Sequence, residues 1–226
     1  MSAILKAHNI AYVSAPKCAC TSIKELFFMI ENRSNFNDIR DKRGAICLLT
    51  NGKKRYIHNF YPSMPFADLP HQEMESTTRF TVVRDPISRL TSCYNNRVKR
   101  YRSLSPEKLA SHQIEASPDP SLNEFIGGLE IYRRVPDINW HTLPLNYFLG
   151  DQPEYYEQIF NLCTLDQLET FLSNQLKTEI NLPHLQNSVE ERAEKESDDS
   201  KISENLIKKI EEIYRADYQL YGRYFG

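Results

Sequence analysis

Glycine and tryptophan are scarce in this sequence, which has only 7 glycines and a single tryptophan among 226 residues. Long apolar runs are absent too, because no stretch approaches the roughly 18 consecutive apolar residues of a membrane-spanning helix. The N-terminus lacks the basic and apolar segments of a secretory signal peptide. We therefore expect a soluble, cytoplasmic protein with no membrane span in this chain. A chain whose anchor had been trimmed would have the same composition.

The cysteines do not form a metal-binding pattern. There are five, Cys18, Cys20, Cys47, Cys93 and Cys163. An odd number without a secretory signal favours reduced thiols in a reducing compartment. No second pair of Cys or His residues follows at zinc-finger spacing, so the sequence predicts no bound metal.

Overall positive charge is also lacking, since the net charge is −2 and the pI is about 6.3. This balance excludes a general nucleic-acid-binding surface, whose affinity depends on many phosphate contacts. The basic residues are instead concentrated between residues 84 and 102, where the only acid is Asp85. Such a local cluster suits a small polyanion. Its members are Arg84, Arg89, Arg97, Lys99, Arg100 and Arg102.

Two segments read as a strand followed by a helix. Residues 9–14 are β-like, Pro16 ends that run, and apolar residues recur at helical spacing from Thr21 onward. Residues 79–84 form the clearest strand, after which Asp85 is a good N-cap and Pro86 a good first helical residue. The helix that follows extends to about residue 101.

The remaining segments predict further strands and helices. Residues 46–49 and 55–60 read as strands, and His58 falls on the second of them. Helices are expected over residues 122–131, 165–176 and 203–214, and residues 140–149 are amphipathic but interrupted by Pro144. The segment 102–120 is expected to be irregular. Residues 186–203 are strongly polar and predict a mobile loop.

Strands that alternate with helices predict an α/β fold: a P-loop-like, three-layer arrangement with a mostly parallel central sheet flanked by helices. We expect residues 1–226 to form one domain. Ligands of such sheets bind at the carboxyl ends of the strands. Lys17 and Arg84 both follow strands at that edge.

The first candidate site lies where the first strand–helix unit turns. A loop that enters a helix presents unpaired N–H groups and a positive dipole end, which suit an anion. Lys17 adds a charge, and Thr21 and Ser22 add hydroxyl donors. The loop lacks both glycines of a nucleotide-binding P-loop, and a plain capped helix start remains the alternative. Its residues are Pro16, Lys17, Cys18, Ala19, Cys20, Thr21 and Ser22.

The second candidate site begins at Arg84 and includes Ser92 on the helix that follows. A guanidinium fork together with a hydroxyl is a suitable clamp for a phosphate group. The alternative is that Arg84 pairs with Asp85 or with a carboxylate at a helix end.

Taken together, the two motifs resemble those of the sulfotransferase superfamily. Pro-Lys-x-x-x-Thr-Ser is followed later by Val-Arg-Asp-Pro-x-x-Arg-Leu-x-Ser, each at a strand-to-helix junction. The form of residues 84–90 is similar to that of the carbohydrate sulfotransferases, especially the uronyl and heparan 2-O branch and its bacterial relatives. The segment 183–188, with Tyr214, Asp217 and Tyr218 further on, resembles the tail of that branch.

This resemblance implies a transferase that moves a sulfonyl group from 3′-phosphoadenosine 5′-phosphosulfate (PAPS) to a hydroxyl of a carbohydrate or glycoconjugate, releasing the bisphosphate PAP without a metal. It implies that Lys17, Thr21, Ser22 and the loop amides hold the phosphosulfate. It also implies that Arg84 and Ser92 hold the 3′-phosphate.

Two histidines are candidates for the base that deprotonates the acceptor, because neutral imidazole suits that task. By the same resemblance, the spacing of His58 before Arg84 is similar to that of the catalytic histidine of the 2-O branch. His141 is the rival, and Glu73 is a weaker carboxylate candidate. A structural, hydrogen-bonded histidine is the alternative for both. Which residues contact the acceptor remains open. The basic residues 97–102 could do so, as could the aromatic residues Tyr94, Tyr101 and Trp140. The alternative is that neither group contacts it.

Two other functions remain open from the sequence. One is a P-loop-type nucleotide kinase or NTPase, which the missing glycines disfavour. The other is an inactive PAP-binding module, which the joint presence of Lys17, His58, Arg84 and Ser92 disfavours.

Overall fold

The computed structural model describes residues 3–36, 39–41, 45–182 and 201–226. The strands in this part of the chain are β1 (Ala3–Leu5), β2 (Ile10–Val13), β3 (Ile39–Arg40), β4 (Ile46–Thr50), β5 (Lys53–Arg55), β6 (Thr78–Val83) and β7 (Gln158–Asn161). They form a central sheet in the order β1-β2-β6-β7 and a smaller sheet in the order β3-β4-β5.

The helices of the described residues are mostly short. They are α1 (Cys20–Asn32), α2 (Ile57–Phe60), α3 (His71–Met74), α4 (Pro86–Cys93), α5 (Pro106–Ser111), α6 (Leu122–Gly127), α7 (Leu129–Tyr132), α8 (Pro136–Thr142), α9 (Leu145–Leu149), α10 (Leu165–Leu176), α11 (Glu204–Ile213) and α12 (Arg215–Tyr221). A π-helix over Tyr94–Arg100 continues α4, and 3-10 turns lie at Lys6–His8, Phe66–Asp68, Pro153–Tyr155 and Gly222–Tyr224. None of the described helices is long and apolar enough to cross a membrane.

The central sheet is mostly parallel, as the alternation of strands and helices predicts. Strands β2, β6 and β7 run parallel, and β1 is antiparallel to β2. Because Val13 of β2 pairs with Thr81 of β6, the two strands end side by side. The Thr81 hydroxyl donates to the Val13 carbonyl at 2.8 Å, which ties these ends together.

Helices cover both faces of this sheet, because successive strand residues point to opposite sides. Ile10 and Tyr12 pack with α1 and α10 in one apolar cluster. Ala11 and Val13 pack with α3, α9 and α12 in another. The result is the three-layer α/β arrangement. A third apolar cluster joins α4, the π-helix and α5 to α8 with α11 beside the sheet.

Most of the expected elements are present. The strand over residues 79–84 corresponds to β6, and the Asp85 carboxylate accepts from the Ser88 N–H at 3.1 Å to cap α4. The helix expected over residues 165–176 is α10. The sequence did not predict β1 and β7, which are short strands at the two edges of the central sheet.

The strand expected over residues 55–60 is wrong. Arg55 ends β5, and Ile57–Phe60 is the short helix α2, so His58 lies on a helix. The reason is local, because the Tyr56 N–H donates to Asn59 Oδ1 at 2.7 Å and the Asn59 N–H donates to the Tyr56 carbonyl at 2.8 Å. These bonds favour a turn over β-like composition.

Two other segments, residues 102–120 and 186–203, are expected from the sequence to be irregular or mobile. Residues 102–120 are not wholly irregular, because Pro106 begins α5. The mobile loop expected over 186–203 falls mostly on residues 186–200, which lie outside the described residues, as does the segment 183–188.

One buried ion pair joins the second strand–helix unit to the C-terminal helices. Arg89 Nη1 lies 3.6 Å from Asp217 Oδ2, and the two side chains are 3% and 0% exposed. Arg89 also donates to the carbonyls of Pro16 and Leu143, at 3.4 and 2.9 Å. Asp217 accepts from the N–H groups that begin α9, including that of Leu145 at 2.7 Å. Burial raises the pKa of Asp217, and Arg89 and these donors lower it in part.

We predict that Asp217→Asn lowers the free energy of unfolding by about 3–5 kcal/mol, because it leaves the buried Arg89 charge uncompensated. Urea denaturation followed by circular dichroism measures this. The control is Glu154→Gln, which removes an exposed ion pair with Arg223 at 3.8 Å and should cost at most about 1 kcal/mol. Equal losses in the two variants would contradict a structural role for the buried pair.

Candidate active site

The two candidate motifs meet at the carboxyl edge of the central sheet. The loop of residues 14–19 connects β2 to α1, and residues 84–85 connect β6 to α4. Arg84 Nη1 donates to the Lys17 carbonyl at 3.4 Å, so the motifs contact each other directly. Sequence reasoning placed both residues at this edge, and the structure brings them together.

The first loop turns tightly without glycine. Lys17 and Ala19 have φ values of 68° and 56°, in the left-handed region that glycine usually occupies. The Tyr12 hydroxyl supports the turn by donating to the Cys18 carbonyl at 3.3 Å. Two non-glycine residues of the loop therefore adopt the left-handed conformation that glycine favours.

Several donors at this edge have no acceptor among the described residues. The Lys17 ammonium, the Ser22 hydroxyl and the Ser92 hydroxyl make no hydrogen bond or ion pair there, although all three side chains are partly buried. Burial lowers the pKa of Lys17, and Arg97 lowers it further. Uncompensated donors around one edge fit an anionic ligand better than they fit a plain capped helix.

Arg84 does not form the ion pair that was its alternative. Its guanidinium contacts only the Lys17 carbonyl among the described residues. Asp85 is engaged elsewhere, because it caps α4 and accepts from the Tyr218 hydroxyl at 3.2 Å. Four of the five N–H groups of Arg84 therefore remain available to a ligand.

His58 projects from α2 toward the first turn of α1. Its Nε2 lies 3.3 Å from Thr21 Oγ1, and its Nδ1 lies 3.4 Å from Lys24 Nζ. Protein surrounds the ring on several sides while solvent still reaches it. Partial burial lowers the pKa of His58, and the nearby charges of Lys24 and Arg97 lower it further. The imidazole is therefore neutral near pH 7.

His141 lies on α8, and both of its ring nitrogens make hydrogen bonds within the protein. Its Nδ1 is 2.7 Å from the Asp137 carbonyl, which can only accept, so Nδ1 carries the proton. Its Nε2 then accepts from Arg97 Nη2 at 2.7 Å. Burial and the Arg97 charge lower the pKa of His141 to about 4. Both ring nitrogens are occupied, whereas His58 has only the mobile Thr21 hydroxyl at its Nε2.

Three basic residues in the π-helix and just after it turn in two directions. Arg97 turns inward, with Nη1 3.7 Å from Asp137 and Nη2 bound to His141. Lys99 and Arg102 turn outward to Asp119, at 2.7 and 3.9 Å. Only Arg97 of these three is near both the histidines and Lys17.

Three other candidates lie away from the site or in the core. Glu73 forms an ion pair at 2.9 Å with Lys6, which lies beyond the opposite end of the central sheet. Tyr94 is buried and donates to the Pro120 carbonyl. Trp140 packs against Tyr147 and Phe148. Among the described residues, no group of three His, Cys, Asp or Glu side chains is arranged to hold a metal ion.

Sequence reasoning missed Lys24, whose side chain is only 1% exposed. It lies on α1 beside Ile23 and one turn from Phe27, within the apolar stripe of that helix. A lysine inside such a stripe is a signal that the sequence already carried. The motif search also gave no role to Arg89 and Asp217, because their contact joins distant parts of the chain.

Comparison with known proteins gives one finding. A family model described as the sulfotransferase family matches residues 2–224. No curated protein and no solved structure matches the chain.

The strained loop gives a testable prediction. A non-glycine residue in the left-handed region costs roughly 1–2 kcal/mol, and glycine adds an entropic cost of roughly 0.5–1 kcal/mol. We therefore expect Ala19→Gly to leave the free energy of unfolding unchanged or raise it by up to about 1 kcal/mol.

The matched control is Ala15→Gly in the same loop, where φ is not positive. This change should lower the free energy of unfolding by about 0.5–1 kcal/mol or more. Thermal and urea denaturation of both variants decide the question. A similar loss in the two variants would mean that Ala19 is not strained.

Proposed function

The chain belongs to the sulfotransferase family, and from this premise we propose that it transfers a sulfonyl group from PAPS to a hydroxyl of a carbohydrate or glycoconjugate. The observation that carries the proposal is the contact between Arg84 and Lys17, around which donors lack acceptors among the described residues. A nucleotide with phosphate groups at both its 3′ and 5′ positions would supply acceptors to both motifs at once.

The proposed donor site divides between the two junctions. Lys17, Thr21, Ser22 and the backbone N–H groups of residues 17–20 bind the 5′-phosphosulfate, aided by the N-terminus of α1. Arg84 and Ser92 bind the 3′-phosphate. Each contact is charge-assisted, and the buried surroundings of Lys17 strengthen its attraction for an anion.

The proposed reaction is an in-line displacement at sulfur. His58 Nε2 takes the proton of the acceptor hydroxyl as its oxygen attacks sulfur. The bond between sulfur and the bridging oxygen breaks, and the electron pair remains on the departing PAP. Lys17 offsets the charge that develops there. His58 is preferred to His141 as the base because Arg97 occupies the only lone pair of His141.

A carbohydrate is the acceptor class we propose. The support is the similarity of residues 84–90 to the carbohydrate sulfotransferases, together with the inward turn of Arg97. An N–H group of Arg97 that neither Asp137 nor His141 engages would meet an anionic group of a sugar.

The donor site is tested by Arg84→Met. Loss of charge-assisted hydrogen bonds worth about 1.5–3 kcal/mol should weaken PAP binding by roughly 10- to 150-fold. Isothermal titration calorimetry in EDTA measures the Kd. The control is Arg79→Met near the start of β6, at the end of that strand away from Arg84, where the side chain pairs with Glu157 at 2.7 Å. Unchanged affinity in Arg84→Met, or binding of ATP that requires Mg²⁺ in place of PAP, would refute this site.

The base is tested by His58→Gln. We expect kcat to fall by about 10²–10⁴-fold, because a general base typically contributes that much, while the Kd for PAP changes little. Single-turnover transfer from radiolabelled PAPS to an oligosaccharide acceptor measures the rate. His141→Gln is the matched comparison and should cost less. A larger loss in His141→Gln would assign the base to His141.

A further inference from the structure

Lys24 is a buried lysine that directly contacts the proposed base. Its ammonium nitrogen lies 3.4 Å from His58 Nδ1 and donates to the Ser63 hydroxyl at 2.9 Å. The side chain is 1% exposed, and it makes no ion pair with any carboxylate in the part of the chain that the structure describes. A buried lysine without an acidic partner is rare because its charge is costly.

Two serine hydroxyls, those of Ser63 and Ser14, hold the Lys24 ammonium group in position. The Ser63 hydroxyl also contacts the Ser14 hydroxyl at 2.8 Å, and Ser14 directly follows β2. This chain of contacts holds the Lys24 nitrogen against one side of the His58 ring. The other ring nitrogen faces Thr21, at 3.3 Å.

The charge of Lys24 decides which nitrogen of His58 carries the proton. An ammonium group has no lone pair and can only donate, so a charged Lys24 requires an unprotonated Nδ1. The single proton of the neutral ring then sits on Nε2, which cannot accept another. A neutral amine accepts a hydrogen bond from Nδ1–H, and Nε2 keeps its lone pair.

We propose that Lys24 is a positioning residue that makes His58 competent as a base by setting its tautomer. The inference rests on the proposed function, in which His58 Nε2 takes the proton of the acceptor hydroxyl. With Lys24 neutral, that proton goes to Nε2, and the imidazolium formed still donates Nδ1–H to the amine. With Lys24 charged, Nε2 already carries a proton and the base is switched off.

The titratable groups around this pair agree with the proposal. Burial lowers the pKa of Lys24 to about 8, opposed in part by Cys20 on the same helix. The pKa of His58 is lowered by burial and by the charges around the site, so the ring stays neutral above pH 6.5. Titration of Lys24 therefore changes the tautomer of His58 and not its charge. The groups that face His58 are Lys24, His141, Arg97 and Lys17.

The direct test is nitrogen NMR of the full chain labelled with ¹⁵N-histidine, without any ligand, between pH 6.5 and 9.5. The His58 signals are assigned by their loss in His58→Gln. We expect the proton to move from Nε2 to Nδ1 with a midpoint near the pKa of Lys24, about 8. This transition should be absent in Lys24→Met. A constant tautomer in the wild-type chain, or the same transition in Lys24→Met, would overturn the proposal.

A second readout separates this inference from the proposed function. The wild-type kcat/KM should rise with pH through about 8, and Lys24→Met should lose that rise and lower kcat by at least about 10-fold. The Kd for PAP should stay within about threefold, which shows that the variant is folded. If the enzyme transfers sulfonyl groups but His58 keeps one tautomer, the role of Lys24 is refuted and the proposed function stands. Absence of PAP binding in the wild-type chain would instead refute the donor site.

Discussion

The buried pair of Arg89 and Asp217 is the contact on which the geometry of the site depends. Arg89 extends from α4 to the carbonyl of Pro16, at the start of the first loop, and to that of Leu143. Through its ion pair with Arg89, Asp217 links the C-terminal helices and the N-terminus of α9 to this contact. One guanidinium thus fixes the distance between the two strand–helix junctions. Since the interior is close-packed, this spacing cannot adjust freely to a ligand, and the site is formed before anything binds.

A preformed site of this kind concentrates positive charge in one place. Lys17, Arg84 and Arg97 lie around it, and burial together with the Arg97 charge lowers the pKa of Lys17. Burial and repulsion keep His58 neutral beside them. A polyanionic donor would reduce the repulsion, so the proposed nucleotide binding and the neutrality of the proposed base would have the same electrostatic origin. The family assignment and this charge distribution therefore support each other.

Local signals in the sequence account for part of this architecture. Residues 79–84 have strand composition, and Asp85 caps the helix that follows, so β6 and α4 could be predicted from neighbours in the chain. The strand predicted for residues 55–60 is wrong because two short-range hydrogen bonds outweigh the β-like composition of this segment. The contact between Lys24 and His58 is non-local, so no pattern within either segment could predict it. The motifs indicated the candidate site, and only tertiary packing shows that Arg97 contacts Nε2 of His141 while Thr21 faces Nε2 of His58.

We propose that the two strand–helix junctions together bind one nucleotide through its two phosphate-bearing ends. A crystal structure of the chain with PAP, grown in EDTA, tests this most directly. We expect the 3′-phosphate within hydrogen-bond distance of Arg84 and Ser92, and the 5′-phosphate against Lys17 and the first turn of α1. A nucleotide bound elsewhere, or bound with Arg84 and Lys17 both out of contact, would contradict it.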